Sequence, residues 1–249
     1  PSLQDGEVKT VADWIIAQRT AKKPFKAVLP HSVSNNIGII NFDTDDIKIG
    51  SKTYTTAEFC VYIASIIAGT ALNESVTGKV ISEINSITES LTPDADVDAG
   101  KLILINDGEQ VEIARGVNSL TTVGTNQTED MKSIKIVEGM DLIAEDIRTT
   151  FKENYIGRSN SIENKELFIA AVNQYFETLT KEGVLYDGYE HYAEIDIDAQ
   201  REYLASKSVD VANMSDVAIK KANTGTFMFM AAHIQMQNAA EDLKFVVNM

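Results

Sequence analysis

Two long stretches with apolar residues at helical spacing constrain this chain more than any other feature. Ile136, Met140, Ile143, Ile147, Phe151 and Tyr155 keep a near four-residue beat, with Val137 and Ala144 beside them. That period lays one apolar stripe along a helix, and Gly157 supplies its stop. Ser161-Ile162-Glu163-Asn164 opens a second helix. Its stripe is Leu167, Phe168, Ala171, Val172, Tyr175, Phe176 and Leu179, and Gly183 ends it. Two such helices joined by a short loop predict an antiparallel pair.

Upstream the period keeps changing. Val8, Val11, Ala12 and Ile15 predict a helix over 7–18, with Trp14 alongside. The runs 25–29, closed by Pro30, and 37–42 read as strands, and 47–49, Gly50-Ser51 and 52–54 as a hairpin. Thr55-Thr56-Ala57-Glu58 is a capping box that opens a helix ending near Gly69. Phe59, Tyr62, Ile63, Ile66 and Ile67 form its apolar stripe. Ala57, Cys60, Ala64 and Ala68 form a second, small-residue face, which predicts burial between two layers. Residues 79–84 are apolar without a clear period, and 93–98 starts a short helix. The strands 101–106 and 110–114 turn at Asp107-Gly108. Strands interleaved with helices give a mixed α/β fold, α+β in detail, with mixed β-sheet layers and the long helix pair in the C-terminal half.

The polar stretch 121–130, with Gly124, Asn126 and Gln127, is the expected boundary. It divides an α/β region, 1–125, from a region, 126–249, that holds the helix pair and terminal strands. At the end of the chain 192–197 alternates as a strand does, 216–221 reads as a short helix, and 226–236 alternates again. Met228, Met230, Ala232, Ile234 and Met236 share one face of that long strand. Residues 243–247 read as a last strand.

Acidic side chains outnumber basic ones by 37 to 22, for a net charge of -15. Nucleic-acid backbones and anionic membranes repel such a surface, and the small cluster Lys22, Lys23 and Lys26 does not offset it. A single cysteine, Cys60, excludes an internal disulfide framework. The longest apolar run, 61–68, is too short to span a bilayer.

Residue patterns that carry chemistry are weak throughout. Asp94, Asp96, Asp98 and Gly100 resemble the start of a calcium loop, but Ala99 sits where the turning glycine belongs and Ile105 replaces the bidentate acid. A solvated acidic helix start explains them better. Glu194, Asp196 and Asp198 fall on one face of the expected 192–197 strand, with no histidine or nucleophile at a supporting spacing. His31, His191 and His233 are too scattered to form a metal set. Cys60 lies on a buried helix face and reads as a core thiol. Gly78-Lys79 is followed by Val80, so no phosphate loop forms, and neither a nucleophile elbow nor a dinucleotide fingerprint occurs. No cofactor, metal or catalytic residue is expected.

A series of segments, in order, resembles the contractile phage tail sheath family, in particular the compact sheaths of PBSX-type and clostridial phage-tail-like particles. They include Ala64-Ser65-Ile66-Ile67-Ala68-Gly69-Thr70 and Arg115-Gly116-Val117-Asn118-Ser119-Leu120-Thr121-Thr122. Met140-Asp141-Leu142-Ile143 leads to Asp146-Ile147-Arg148-Thr149-Thr150-Phe151 and Asn154-Tyr155-Ile156-Gly157. Glu163-Asn164-Lys165, Leu167-Phe168-Ile169 and Asn173-Gln174-Tyr175-Phe176 follow. Ala193-Glu194-Ile195-Asp196-Ile197, Gln200-Arg201, Tyr203-Leu204, Asn223-Thr224-Gly225 and Ala240-Glu241-Asp242-Leu243 complete the set. The resemblance runs from about residue 55 to the terminus. Sheath proteins carry a further N-terminal region, and this chain opens on Pro1, so a missing N-terminal part is expected.

The resemblance implies a structural subunit, not an enzyme. It would stack with copies of itself as six-fold rings around a tail tube above a baseplate, and contract to drive the tube through a bacterial envelope. Its place would be a virion or a phage-tail-like particle, assembled in the bacterial cytoplasm. The family's terminal arms add strands to neighbouring sheets, which is β-augmentation. A strand that ends the chain is free to leave its own subunit. The expected exchanged residues are therefore Leu243, Lys244, Phe245, Val246, Val247, Asn248 and Met249. The expected pairing edge is Phe227, Met228, Phe229, Met230 and Ile234. Two alternatives stand beside this reading. One is a small-molecule-binding α/β enzyme or binding module, with its pocket in loops 31–36 or 124–127. The other is a different tail component, of the tube or baseplate.

Overall fold

A computed structural model describes residues 5–247. They form two compact units, one of 5–141 with 238–247 and one of 142–237. Mixed helices and small sheets make up both, so the expected α/β mixture holds.

The first unit opens with α1 (Asp5–Thr20), β1 (Ala27–Pro30) and β2 (Ile39–Phe42). Next come β3 (Asp45–Ile49), β4 (Lys52–Tyr54), α2 (Thr56–Gly69), β5 (Ser86–Thr88) and α3 (Pro93–Asp98). The strands β6 (Lys101–Leu102), β7 (Leu104–Asn106) and β8 (Val111–Ile113) follow. A 3-10 turn, Glu129–Lys132, leads into α4 (Ile134–Asn154), which starts in this unit. β1, β2 and β6 form a parallel sheet with β2 in the middle. β4, β3 and β5 form an antiparallel sheet, and β7 pairs with β8 as a hairpin.

β2 is buried at every position, as a strand covered on both faces must be. Alternation splits its side chains between two cores. Ile39 joins Val8, Ala12, Ile15 and Leu29 under α1. Ile40 and Phe42 join Phe59, Cys60 and Ile63 of α2, together with Leu102, Leu104 and Ile113. α2 starts as expected: the Thr55 hydroxyl accepts the Glu58 amide (3.3 Å), and the Glu58 carboxylate accepts the Thr55 amide (3.0 Å). Its small-residue face departs from expectation. Ala64 and Ala68 are exposed and Val61 is 76% exposed, so within this chain α2 is covered on one side only. The expected strand 101–106 is broken at Ile103, where pairing passes from β2 to β8.

The second unit contains the rest of α4, then α5 (Ile162–Lys181), β9 (Tyr192–Ile195), α6 (Ile197–Ser206), α7 (Asp216–Lys221) and β10 (Met230–His233). α4 and α5 run antiparallel, as their contacts show. Phe168 meets Phe151 (5.5 Å) and Tyr155 (4.8 Å) ring to ring, and the Tyr175 hydroxyl donates to Asp146 (2.6 Å). The glycines that follow them, Gly157 and Gly183, have φ of +87° and +74°, the left-handed geometry that releases a helix end. β9 and β10 pair antiparallel, with Met230 opposite Ile195 and His233 opposite Tyr192.

Two sequence expectations are corrected in this unit. The alternation over 192–197 stops at Ile195, because Asp196 caps α6 by accepting the Ala199 amide (2.9 Å). Glu194, Asp196 and Asp198 therefore do not share a strand face. The long strand over 226–236 shrinks to Met230–His233. At its end pairing passes to 184–186, where Met236 bridges Leu185 and the Tyr186 amide donates to Gln235 O (2.9 Å), and at its start the Asn160 side-chain amide donates to Thr224 Oγ1 (3.1 Å), Gly225 O (2.9 Å) and Phe227 O (2.9 Å). The Asn160 bonds hold the chain before Met230 in a turn.

Candidate functional site

The feature with functional content in the first unit is the way the chain ends. It re-enters that unit at Asn238, whose side-chain amide donates to Asp130 Oδ1 (3.2 Å). Three residues on, the Glu241 carboxylate meets converging donors. Ser75 Oγ (2.7 Å) and Thr77 Oγ1 (2.6 Å) reach Oε1, and Arg115 Nη1 reaches Oε2 (2.9 Å). The same guanidinium contacts Asp242 through Nη2 (2.7 Å) and Nη1 (3.2 Å). Paired carboxylates raise the already high pKa of Arg115, and the arginine holds the Asp242 carboxyl below the usual range.

Beyond this anchor the chain is bare. Leu243, Phe245, Val246 and Val247 are 86%, 78%, 79% and 69% exposed, and Lys244 is exposed too. Residues 243–247 pair with no strand among the described residues. Asn248 and Met249, also expected in the exchanged strand, lie outside the described residues. A run of consecutive apolar side chains in water is unfavourable unless a partner covers it.

In the second unit, the expected pairing edge lies around β10. Phe227 is 55% exposed and stacks on Phe229 (6.0 Å), and both rings lean on Tyr203. Met228, Met230 and Ile234 are half-buried. The sheet there has two strands, so each strand keeps one unpaired edge.

Several of the residues weighed for chemistry have structural duties. Asp96 accepts from Lys101 (2.8 Å) and Ser90 (2.5 Å), whose hydrogen bonds lower its pKa. Burial pushes the Asp43 carboxyl up, but hydrogen bonds from Lys101 and His31 outweigh it and hold the pKa low. His191 bonds the Tyr186 carbonyl (2.8 Å), and His233 bonds Glu194 (3.2 Å). Burial pushes the Cys60 thiol up to about 12. The loop around His31 borders a cleft of about 540 Å³ with Val8, Ala12 and Ile16. In the other candidate loop, the Gln127 side chain closes on the Gly124 amide (2.9 Å).

Residues 126–249 match the family model of the phage tail sheath C-terminal domain. Over 253 residues the chain is 34% identical to the tail sheath protein of Clostridium phage phiCD119, covering all of this chain and 70% of that protein. The chain belongs to the phage tail sheath family. Solved sheath structures share the fold. A sheath tail protein of Desulfitobacterium hafniense superposes with a TM-score of 0.68 at 18% identity, over 79% of this chain and 48% of that one. The contracted helical sheath of the anti-feeding prophage gives 0.69 at 10% identity, over 100% and 68%. This sheath chain spans about half the length of the Desulfitobacterium protein.

Sequence reasoning picked out the exposed apolar arm of this sheath chain but missed its anchor. Arg115 and Glu241 both lie in segments quoted for the family resemblance, yet their pairing crosses 126 residues and has no periodic signature.

Proposed function

We propose that this chain polymerises with copies of itself as six-fold rings around a tail tube, and that contraction of the polymer drives the tube through a bacterial envelope. The observation that carries the reading is the bare apolar arm 243–247, which follows a fixed anchor and pairs with no strand among the described residues. Arms of this kind gain backbone hydrogen bonds and apolar burial by adding to a neighbour's sheet. The receiving edge is the segment Phe227, Met228, Phe229, Met230 and Ile234, beside the two-stranded sheet. An uncovered edge is an aggregation hazard in a monomer and an adhesive in a polymer.

Subunits then rotate as rigid bodies during contraction while the exchanged strands stay paired. Energy is stored at assembly, so the mechanism draws on no nucleotide. Structures of the anti-feeding prophage include a contracted sheath and a baseplate, which supports a sheath polymer and a baseplate partner here. The particle is a virion or a phage-tail-like particle assembled in the bacterial cytoplasm. Deleting residues 243–249 is expected to abolish sheath tubes in negative-stain microscopy while the circular dichroism spectrum and melting temperature stay unchanged. Tubes of normal yield from the truncated protein refute the strand-exchange reading.

A further inference from the structure

The anchor at Glu241 has the make-up of a binding site, with the chain's own carboxylate as ligand. Both oxygens of Glu241 are engaged, Oε1 by two hydroxyls and Oε2 by a guanidinium. The donors are themselves arranged. Thr77 Oγ1 accepts the Gly116 amide (2.8 Å), which leaves its own proton for the carboxylate. Gly116 also shapes the floor. A Cβ there would lie 2.8 Å from Val76 Cγ2, 3.2 Å from Ser75 Oγ and 3.4 Å from Thr77 Oγ1, so any side chain would crowd the two hydroxyls. The segment Arg115-Gly116 thus supplies the cation and, in the next residue, the space the carboxylate needs.

The two acids differ sharply in setting. The Glu241 side chain is 19% exposed, against 74% for Asp242. A screened surface contact holds little, whereas a charge-assisted bond in a mostly buried socket holds firmly. Glu241 is therefore the fixed point, and the apolar run begins two residues later. We propose that Ser75, Thr77 and Arg115 form a carboxylate socket that fixes where the arm leaves its own subunit. Arg115 and Glu241 are on this view positioning residues for assembly, a role that rests on the reading of 243–249 as an exchanged strand. With the root held, a neighbour that pairs with 243–247 orders a short segment in a set direction. With the root released, a longer segment must be ordered for the same contacts, and the entropic cost rises.

Lys244 provides the readout. A protease that cuts after it must take residues 241–244 into its cleft in extended form, so Glu241 must first leave the socket. Brief trypsin pulses on the full chain, followed by intact mass spectrometry, measure loss of residues 245–249. Rates are normalised to a peptide of residues 238–249 that carries the same substitution. Glu241→Gln and Arg115→Ala are each expected to speed cleavage on the order of tenfold, the effect of losing one charge-assisted buried bond. Their double variant should be no faster than the faster single one, because both break one contact. Asp242→Asn should change the rate less than about twofold. Both socket variants should also lower the yield of sheath tubes. Glu241→Gln carries the test even where Arg115→Ala fails to fold. Unchanged cleavage in Glu241→Gln, or multiplying effects in the double variant, overturns the socket. Tubes at normal yield from Glu241→Gln, with none from the 243–249 deletion, overturn its role in assembly and leave the exchanged strand standing. Tubes from the deletion itself overturn the strand, and the cleavage rates still judge the socket.

Discussion

Asp141 in α4 is a position where a change of one atom should cost this protein much of its stability. Arg19 grips its carboxylate with both terminal nitrogens, each at 2.9 Å, and Lys26 adds a third contact at 2.8 Å. The side chains are 16%, 12% and 18% exposed, so solvent does little to screen them. Asp141→Asn keeps the shape and removes the charge. Lys26 retains Glu138 (2.8 Å), but among the described residues Arg19 is left with neutral acceptors, the amide oxygen of the new Asn and the Phe25 carbonyl at 3.3 Å. Breaking a buried pair from one side costs about 3–5 kcal/mol, because the remaining charge stays desolvated. The residual exposure and the spare acceptors place this case at the lower end, about 3 kcal/mol, or about 6–12 °C in Tm for a chain of this size. The pH dependence gives a second, independent signature. Burial pushes the Asp141 carboxyl up, but hydrogen bonds from Arg19 and Lys26 outweigh it, so the folded pKa lies below the unfolded one. The stabilisation is full above the unfolded value, about 3.9, and is lost as pH falls through the folded pKa. The difference between the thermal melts of the two proteins should begin to narrow as pH falls below about 3.9 toward pH 3. A difference at pH 7 below about 1 kcal/mol, or one that persists unchanged at pH 3, refutes the argument.

Two other buried groups make opposite predictions. Lys165 in α5 is 2% exposed, and Gln200 Oε1 at 3.4 Å is the one hydrogen-bond partner of its ammonium among the described residues. Burial lowers its pKa, so Lys165→Met should stabilise at pH 7 by about 1–2 kcal/mol, after allowing for the lost Gln200 contact. The advantage over wild type is full below the folded pKa and shrinks as pH rises from there to the unfolded value near ~10.4, which denaturant titration at two pH values checks. Cys60 is 5% exposed with its thiol pKa pushed up to about 12, so a thiol reagent at pH 8 should label it only after denaturation, and fast labelling of the folded protein refutes its burial.

What could be read from the residues follows from the range of the interactions involved. The α4–α5 pair was legible because Ile143, Phe151, Phe168 and Phe176 announce a helix by period alone. The α2 start was legible because Thr55 and Glu58 satisfy each other within one turn. Misreadings arose where a local signal met a distant one. Alternation over 226–236 is real in the sequence, but the amide side chain of Asn160 takes up its start, and pairing of Gln235 and Met236 with 185–186 takes up its end, which leaves Met230–His233. Alternation over 192–197 concealed a helix start, because Asp196 serves equally as a strand residue and as an N-cap. The exposure of Ala64 and Ala68 is a different matter, since a small-residue face on α2 states that something can approach closely without stating what does.

The arm joins both kinds of information. Its apolar half, 243–247, is visible as a run of side chains with nothing before or after it to suggest burial in a core. Its anchored half is not visible at all, because Glu241 and Asp242 look like any solvated acids in a chain with 37 of them. Only the fold brings Arg115 to them, together with the two hydroxyls and the cleared space at Gly116. An apolar tail without an anchor would collapse onto whatever surface was nearest, its own included. An anchor without an apolar tail would merely finish a fold. With both in sequence, collapse onto its own subunit is restricted by the fixed root, and under the proposed strand exchange the gain in burial is directed outward to a second copy. On the proposed reading, it is the order of the two halves along the chain, acid first and apolar second, that makes the arm a linker between copies.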